Sequence, residues 1–209
     1  MAKPIREPFN TVSHLVGAIV VGIGVLGLCI AFRHSPIAWI SFMVFGLGSV
    51  FLYSSSAAYH WTENVKPFLQ RLDHAAIFVM IAASYTPVAL LALDHPLKWW
   101  VLGIEWGVAL VGLLWTLIIG KPPTAVRLVL YTVLGWLILP WTREVLNNTS
   151  LLTFALLLLG GLSYTIGILF YARKTPWFPK TRIGNHEVWH VFVLAGTVFH
   201  YAMCWSLPA

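Results

Sequence analysis

The sequence predicts an all-α integral membrane protein: a seven-transmembrane helix bundle, N-terminus in the cytoplasm and C-terminus outside. Three observations carry this. Of 209 residues, 59% are hydrophobic and 10% charged, with a mean hydropathy of +0.81. One soluble core cannot hide that much apolar surface. The apolar runs are long and unbroken rather than alternating, so the backbone closes its hydrogen bonds within helices and not in a barrel. The lysines and arginines fall between the runs, mostly on one side of the membrane.

The seven spans cover about 12–32, 37–60, 73–93, 98–119, 125–142, 151–171 and 186–206, each near the ~20 residues that cross the hydrocarbon. Span 1 follows Lys3 and Arg6 and stops before His34-Ser35-Pro36, which breaks the chain into span 2. Lys66 and Arg71 precede span 3. Asp94-His95-Pro96 separates spans 3 and 4, Lys121-Pro122-Pro123 spans 4 and 5, and Asn147-Asn148 spans 5 and 6. Span 5 is the shortest. Arg173, Lys174, Lys180 and Arg182 lie between spans 6 and 7. No linker divides residues 1–209, so one seven-helix domain is expected. No cleavable signal peptide is expected, because the first apolar run is followed by further spans and lacks a cleavage pattern.

Ten basic residues thus share one side with the N-terminus: Lys3, Arg6, Lys66, Arg71, Lys121, Arg127 and the four after span 6. Only Arg33, Lys98 and Arg143 lie opposite. This asymmetry sets the orientation and also accounts for the net charge of +6 without a nucleic-acid partner. Trp61, Trp99, Trp100, Trp141, Trp177 and Trp205 stand near span ends, where interfacial anchors belong. Cys29 and Cys204 lie inside apolar runs and read as small buried hydrophobes.

Ionisable groups in spans are costly and mark functional sites by default. Glu7, Asn10 and His14 open span 1; Ser56 and His60 close span 2. Asp73 and His74 open span 3, and His186, Glu187 and His190 open span 7. All fall at cytoplasmic ends, so they form one cluster if spans 1, 2, 3 and 7 are neighbours. His34 and His95 lie in outer loops and read as interfacial residues.

His186 and His190 are one helical turn apart on one face and can hold a single zinc ion. His60 supplies a third nitrogen, giving an open tetrahedral site of catalytic type. Ser56, one turn before His60, and Asp73, across the loop, are the candidates for proton transfer or for orienting water. Blander readings exist: Ser56 as a packing contact, Asp73 as a helix N-cap, and His74 as a cross-helix hydrogen-bonding group. Residues His186 to His190, HEVWH, also match the H-E-x-x-H pattern of zinc proteases. His200 is the sole downstream candidate for its third ligand, and ten residues place it about 15 Å along the helix, too far for one ion. Glu187 points about 100° away from His186 and reads as an interfacial acid. Haem between facing helices suits this same-helix pair poorly.

The run Ser56-Ala-Ala-Tyr-His60, then Leu72-Asp73-His74, then His186-x-x-x-His190, resembles the motifs of the progestin and adipoQ receptor family. Glu7 to His14, EPFNTVSH, is similar to the E-x-x-N-x-x-T-H motif of its bacterial branch, the haemolysin III-like or membrane homeostasis proteins, with Ser13 for threonine. Ala83-Ser84-Tyr85-Thr86-Pro87 is similar to the branch's A-G-T-Y-T-P segment, with Ser84 for glycine and the first threonine displaced. The resemblance implies a seven-helix bundle with an inward N-terminus in a bacterial plasma (inner) membrane. It also implies zinc on His60, His186 and His190, with Ser56 and Asp73 close by. The wider superfamily includes alkaline ceramidases, so the leading expectation is a zinc-dependent hydrolase of a lipid amide or ester, its substrate entering sideways from the inner leaflet. The alternative is a non-enzymatic lipid or membrane-fluidity sensor with a structural zinc. Short loops and a compact bundle argue against a pore-forming toxin.

Overall fold

The computed structural model describes residues 5–62, 67–173, 175 and 183–208. Lys3, Lys66, Lys174, Trp177, Lys180 and Arg182 lie outside the described residues.

The helices are α1 (Pro8–Ala31), α2 (Pro36–Trp61), α3 (Pro67–Ala92), α4 (Leu97–Leu114, prolonged by a π-helical turn, Trp115–Ile119), α5 (Thr124–Gly135), α6 (Thr142–Asn148), α7 (Leu151–Ala172) and α8 (Asn185–Ser206). Seven helical units are long and apolar enough to cross a membrane, α5 and α6 counting together as Thr124–Asn148. The protein is a multi-pass membrane protein.

Local sequence explains the ends. Pro8 and Pro36 occupy first-turn positions, where a missing N–H costs nothing. Ser150 caps α7, its hydroxyl accepting from the Thr153 N–H at 3.1 Å. Gly120, at φ +129°, ends the π-helical turn in a conformation open to glycine.

Two boundaries differ by six residues from the sequence reading, and α1 starts at Pro8, four residues before the expected 12. The third span begins at Pro67, six residues before the expected start, because Phe68 to Leu72 continue the helix despite Gln70 and Arg71. Asp73 is therefore inside a helix and is no N-cap. The fifth span runs past 142 to Asn148 and is broken between Gly135 and Thr142, where Pro140 sits in a short 3₁₀ turn, Leu139–Trp141. Asn148 closes that span and does not sit in a free loop: its Nδ2 donates to the Ala92 carbonyl at 3.3 Å and to Asp94 Oδ2 at 3.2 Å.

Packing runs from α3 through α2 and α1 to α8 and α7, and α5 touches both α3 and α7, closing a ring. α4 lies outside it against α3. Small residues permit close helix approach: a Cβ at Gly48 of α2 would collide with Ala83 of α3, and one at Gly196 of α8 with the Tyr164 ring of α7. Cys29 and Cys204 are buried free thiols. Along α1, Val16, Ile23 and Ile30 stay exposed, as a lipid-facing stripe must.

Candidate metal centre and its cavity

Because α1, α2, α3 and α8 are consecutive neighbours in the packing, the polar ends of spans 1, 2, 3 and 7 do meet. The entry of α1 is laced to the exit of α2: the Glu7 N–H donates to the His60 carbonyl at 3.2 Å.

Ligand atoms of His60, His186 and His190 all lie within 4.8 Å of one another. A tetrahedral zinc with Zn–N near 2.1 Å needs nitrogens roughly 3.4 Å apart, which side-chain torsions can supply. His60 and His190 are each 1% exposed, and His186 is half-buried. The rings meet edge-on or tilted, His60 with its centroid 5.1 Å from His186 and 4.9 Å from His190.

The donor set fits a metal ion by its hydrogen-bond state. His60 Nδ1 is 2.6 Å from Glu7 Oε2, and a carboxylate only accepts, so Nδ1 carries the proton and Nε2 presents its lone pair. His60 Nε2 and His190 Nδ1 are buried without any partner. Buried nitrogens without partners are costly unless something else binds them. A carboxylate behind a metal-binding imidazole is the usual device for fixing its tautomer. Glu7 is itself held by Asn10 Nδ2 at 3.0 Å and by Arg6 at 2.8 Å. Burial raises the Glu7 carboxyl, but Asn10, His60 and Arg6 together outweigh it and hold it below the usual range.

His14 lies flat against His190, centroids 3.8 Å apart, and both its nitrogens are buried and unpartnered. Its residue type flagged it in the sequence, whereas this stacking needed the α1–α8 contact. Glu187 is the helix-capping acid of α8, accepting from the Gly184 N–H at 2.9 Å, and is not a loose interfacial acid.

His14, His186 and His190 line one end of a cavity together with Ser56, Asp73 and Arg127. Its volume is about 100 Å³, counted as space open to the centre of a water molecule; one water needs roughly 10–15 Å³ on that measure. Ser56 and Asp73 are both buried and both line this cavity. The sequence counts Arg127 among the cytoplasmic-side charges, at the start of the expected span 125–142. It is 4% exposed in the first turn of α5, its Nε donating to the Pro122 carbonyl at 3.2 Å. The hydrogen bond across helices at His74 uses its backbone carbonyl, which accepts from Tyr131 Oη at 2.8 Å; the ring Nδ1 is unpartnered. The cavity continues along the ring's axis between apolar walls to His200. Leu128 and Thr132 of α5, Trp136 just after it, and Gly161, Thr165 and Ile168 of α7 line it while remaining partly exposed.

The family model described as haemolysin-III related matches residues 3–201. The chain is 32% identical to Hemolysin-3 of Bacillus cereus over 97% of this chain and 93% of that protein. It is 33% identical to the Hemolysin-3 homolog of Bacillus subtilis, over 92% and 89%. Human Monocyte to macrophage differentiation factor is 25% identical, over 87% and 77%.

Proposed function

Because the chain belongs to the haemolysin-III related family of seven-helix membrane proteins, we propose that it is a zinc-dependent hydrolase of a lipid amide or ester in a bacterial inner membrane. Its N-terminus faces the cytoplasm, so the histidine cluster works from the inner leaflet. One observation carries the reading: two members of the three-histidine cluster, His186 and His190, line one apolar cavity together with Ser56 and Asp73.

His60, His186 and His190 would hold the ion. Zinc bound there supplies Lewis acidity that polarises a carbonyl and acidifies water. The protein's own groups do the rest. Glu7 keeps the proton on His60 Nδ1 and its Nε2 free. Asp73, with Ser56 beside it, accepts a proton from attacking water and returns it to the leaving nitrogen or oxygen. Arg127, across the cavity from the cluster's helices, offers positive charge to a carbonyl or headgroup oxygen. The apolar walls bind the chain, which enters between α5 and α7, where the lining is partly exposed.

A second reading has its own support. His14 brings two buried, unpartnered nitrogens against His190; either one, joined to the three histidines as a fourth protein ligand, would close the site in the structural manner, and a lipid or membrane-fluidity sensor with a structural zinc follows from that. Fatty-acid release from amide- and ester-linked lipids by the purified zinc-loaded protein separates the two. Release by wild type, abolished in Asp73→Asn with zinc retained, is the expected result. No release from any such lipid at full zinc occupancy would leave the sensor.

A further inference from the structure

A smaller cavity continues the first. It measures about 20 Å³ by the same measure and is lined by Ser84, Tyr85, Trp136, Leu157 and His200, among others. That is room for roughly one oxygen-sized group. His200 lines both cavities and so stands at their junction. It lies ten residues from His190 on α8, about 15 Å along the axis.

His200 is 6% exposed. Its Nε2 lies 3.3 Å from the Leu157 carbonyl, which only accepts, so Nε2 carries the proton and Nδ1 is an acceptor. Nδ1 is buried and has no partner. The ring is set in place: a Cβ at Gly160 would collide with it, and the Tyr164 ring packs edge-on with centroids 5.4 Å apart. The neighbouring hydroxyls have spent their hydrogens. Ser84 donates to the Ile81 carbonyl at 2.8 Å, and Tyr85 to the Gly135 carbonyl at 3.1 Å while its oxygen accepts from the Ile138 N–H at 3.0 Å. His200 Nδ1 and the Ser84 oxygen therefore remain as acceptors at the junction, while Tyr85 has both given and received.

We propose that His200, with Ser84 beside it on both cavity walls, forms a second polar subsite that takes a hydroxyl carried part-way along the hydrocarbon chain of the bound lipid, its hydrogen donated to His200 Nδ1. The proposal rests on the reading of the main cavity as a lipid site. Acceptor-only groups such as ketones, esters and carboxylates cannot satisfy an acceptor wall, and a plain methylene leaves Nδ1 desolvated without a partner. A hydroxyl satisfies it, which makes the subsite a selector for chain-hydroxylated lipids.

Calorimetry on the purified protein tests this, with octadecanoic acid beside hydroxyoctadecanoic acids whose hydroxyl is stepped along the chain. Affinity should peak at one mid-chain position, about tenfold above the plain acid. The peak should vanish in His200→Leu and persist in part in His200→Gln, which keeps a side-chain acceptor. A profile flat across positions in the wild type overturns the subsite, whether or not the variants fold; a permanently held water at Nδ1 gives that result. A peak that survives in folded His200→Leu overturns it as well. If neither plain nor hydroxylated acids bind, the lipid reading of the main cavity falls, and this subsite with it.

Discussion

Glu7 Oε2 stands 2.6 Å from His60 Nδ1, across the seam where α1 begins and α2 ends. The contact joins residues 53 positions apart and links two sequence motifs into one unit. Glu7 sets the tautomer of His60, and the backbone bond from the Glu7 N–H to the His60 carbonyl fixes the register. Losing such a partner typically weakens a metal site by about 10- to 100-fold. Glu7→Ala should therefore bind zinc more weakly by that factor, with Glu7→Gln between it and wild type. Competition against a chelator of known affinity reads the effect. Equal affinity in Glu7→Ala would dissolve the link between these residues.

Metal removal tests the three-histidine set directly. An ion that binds only the folded state adds stability that grows with its free concentration, about 2.7 kcal/mol at a hundred times Kd. Chelation should lower the unfolding temperature of the wild type, and added zinc should restore it. His60→Ala and His190→Ala, which remove ligands from α2 and α8, should show little response and hold far less than one zinc per chain. Full zinc content in His60→Ala would sink the assignment.

The seven spans were legible because hydropathy reports what a helix meets in lipid and needs no partner to be known. The histidine cluster was legible because its members come in helical spacing and at matching span ends. What the sequence withheld depends on contacts between distant segments. Asp73, the candidate for proton transfer, kept an N-cap as its blander alternative until the helix proved to start at Pro67. Arg127 reads in the sequence only as a topology charge near the start of span 5; α5 buries it against the cavity. The break before Thr142 needed Gly135 and Pro140 to be read together. Glu105, inside span 4, carried the clearest unused signal: an acid in an apolar run.

Glu187 separates the protease pattern from the site. Its carboxylate caps α8 through the Gly184 N–H, and capping interactions of this kind contribute about 0.5–2 kcal/mol. Glu187→Ala should lose about that much stability, and so unfold at a lower temperature, while keeping its zinc and any lipid hydrolysis. Loss of turnover at full zinc content would restore Glu187 as the general base of a protease-like centre.

Glu105 makes the last prediction. It is fully buried in α4, which packs on α3, and neither carboxyl oxygen has a hydrogen-bond partner. Its place is outside the ring of helices that encloses the cavity, and it is absent from the lining of both cavities. A buried polar group with no partner costs about 1–3 kcal/mol, whereas methionine has similar length and no such demand. Glu105→Met should raise the unfolding temperature in detergent and leave zinc content unchanged. A clear fall in stability would mean that the acid is bonded in the membrane, and proton-linked helix packing between α3 and α4 would then be the property to measure.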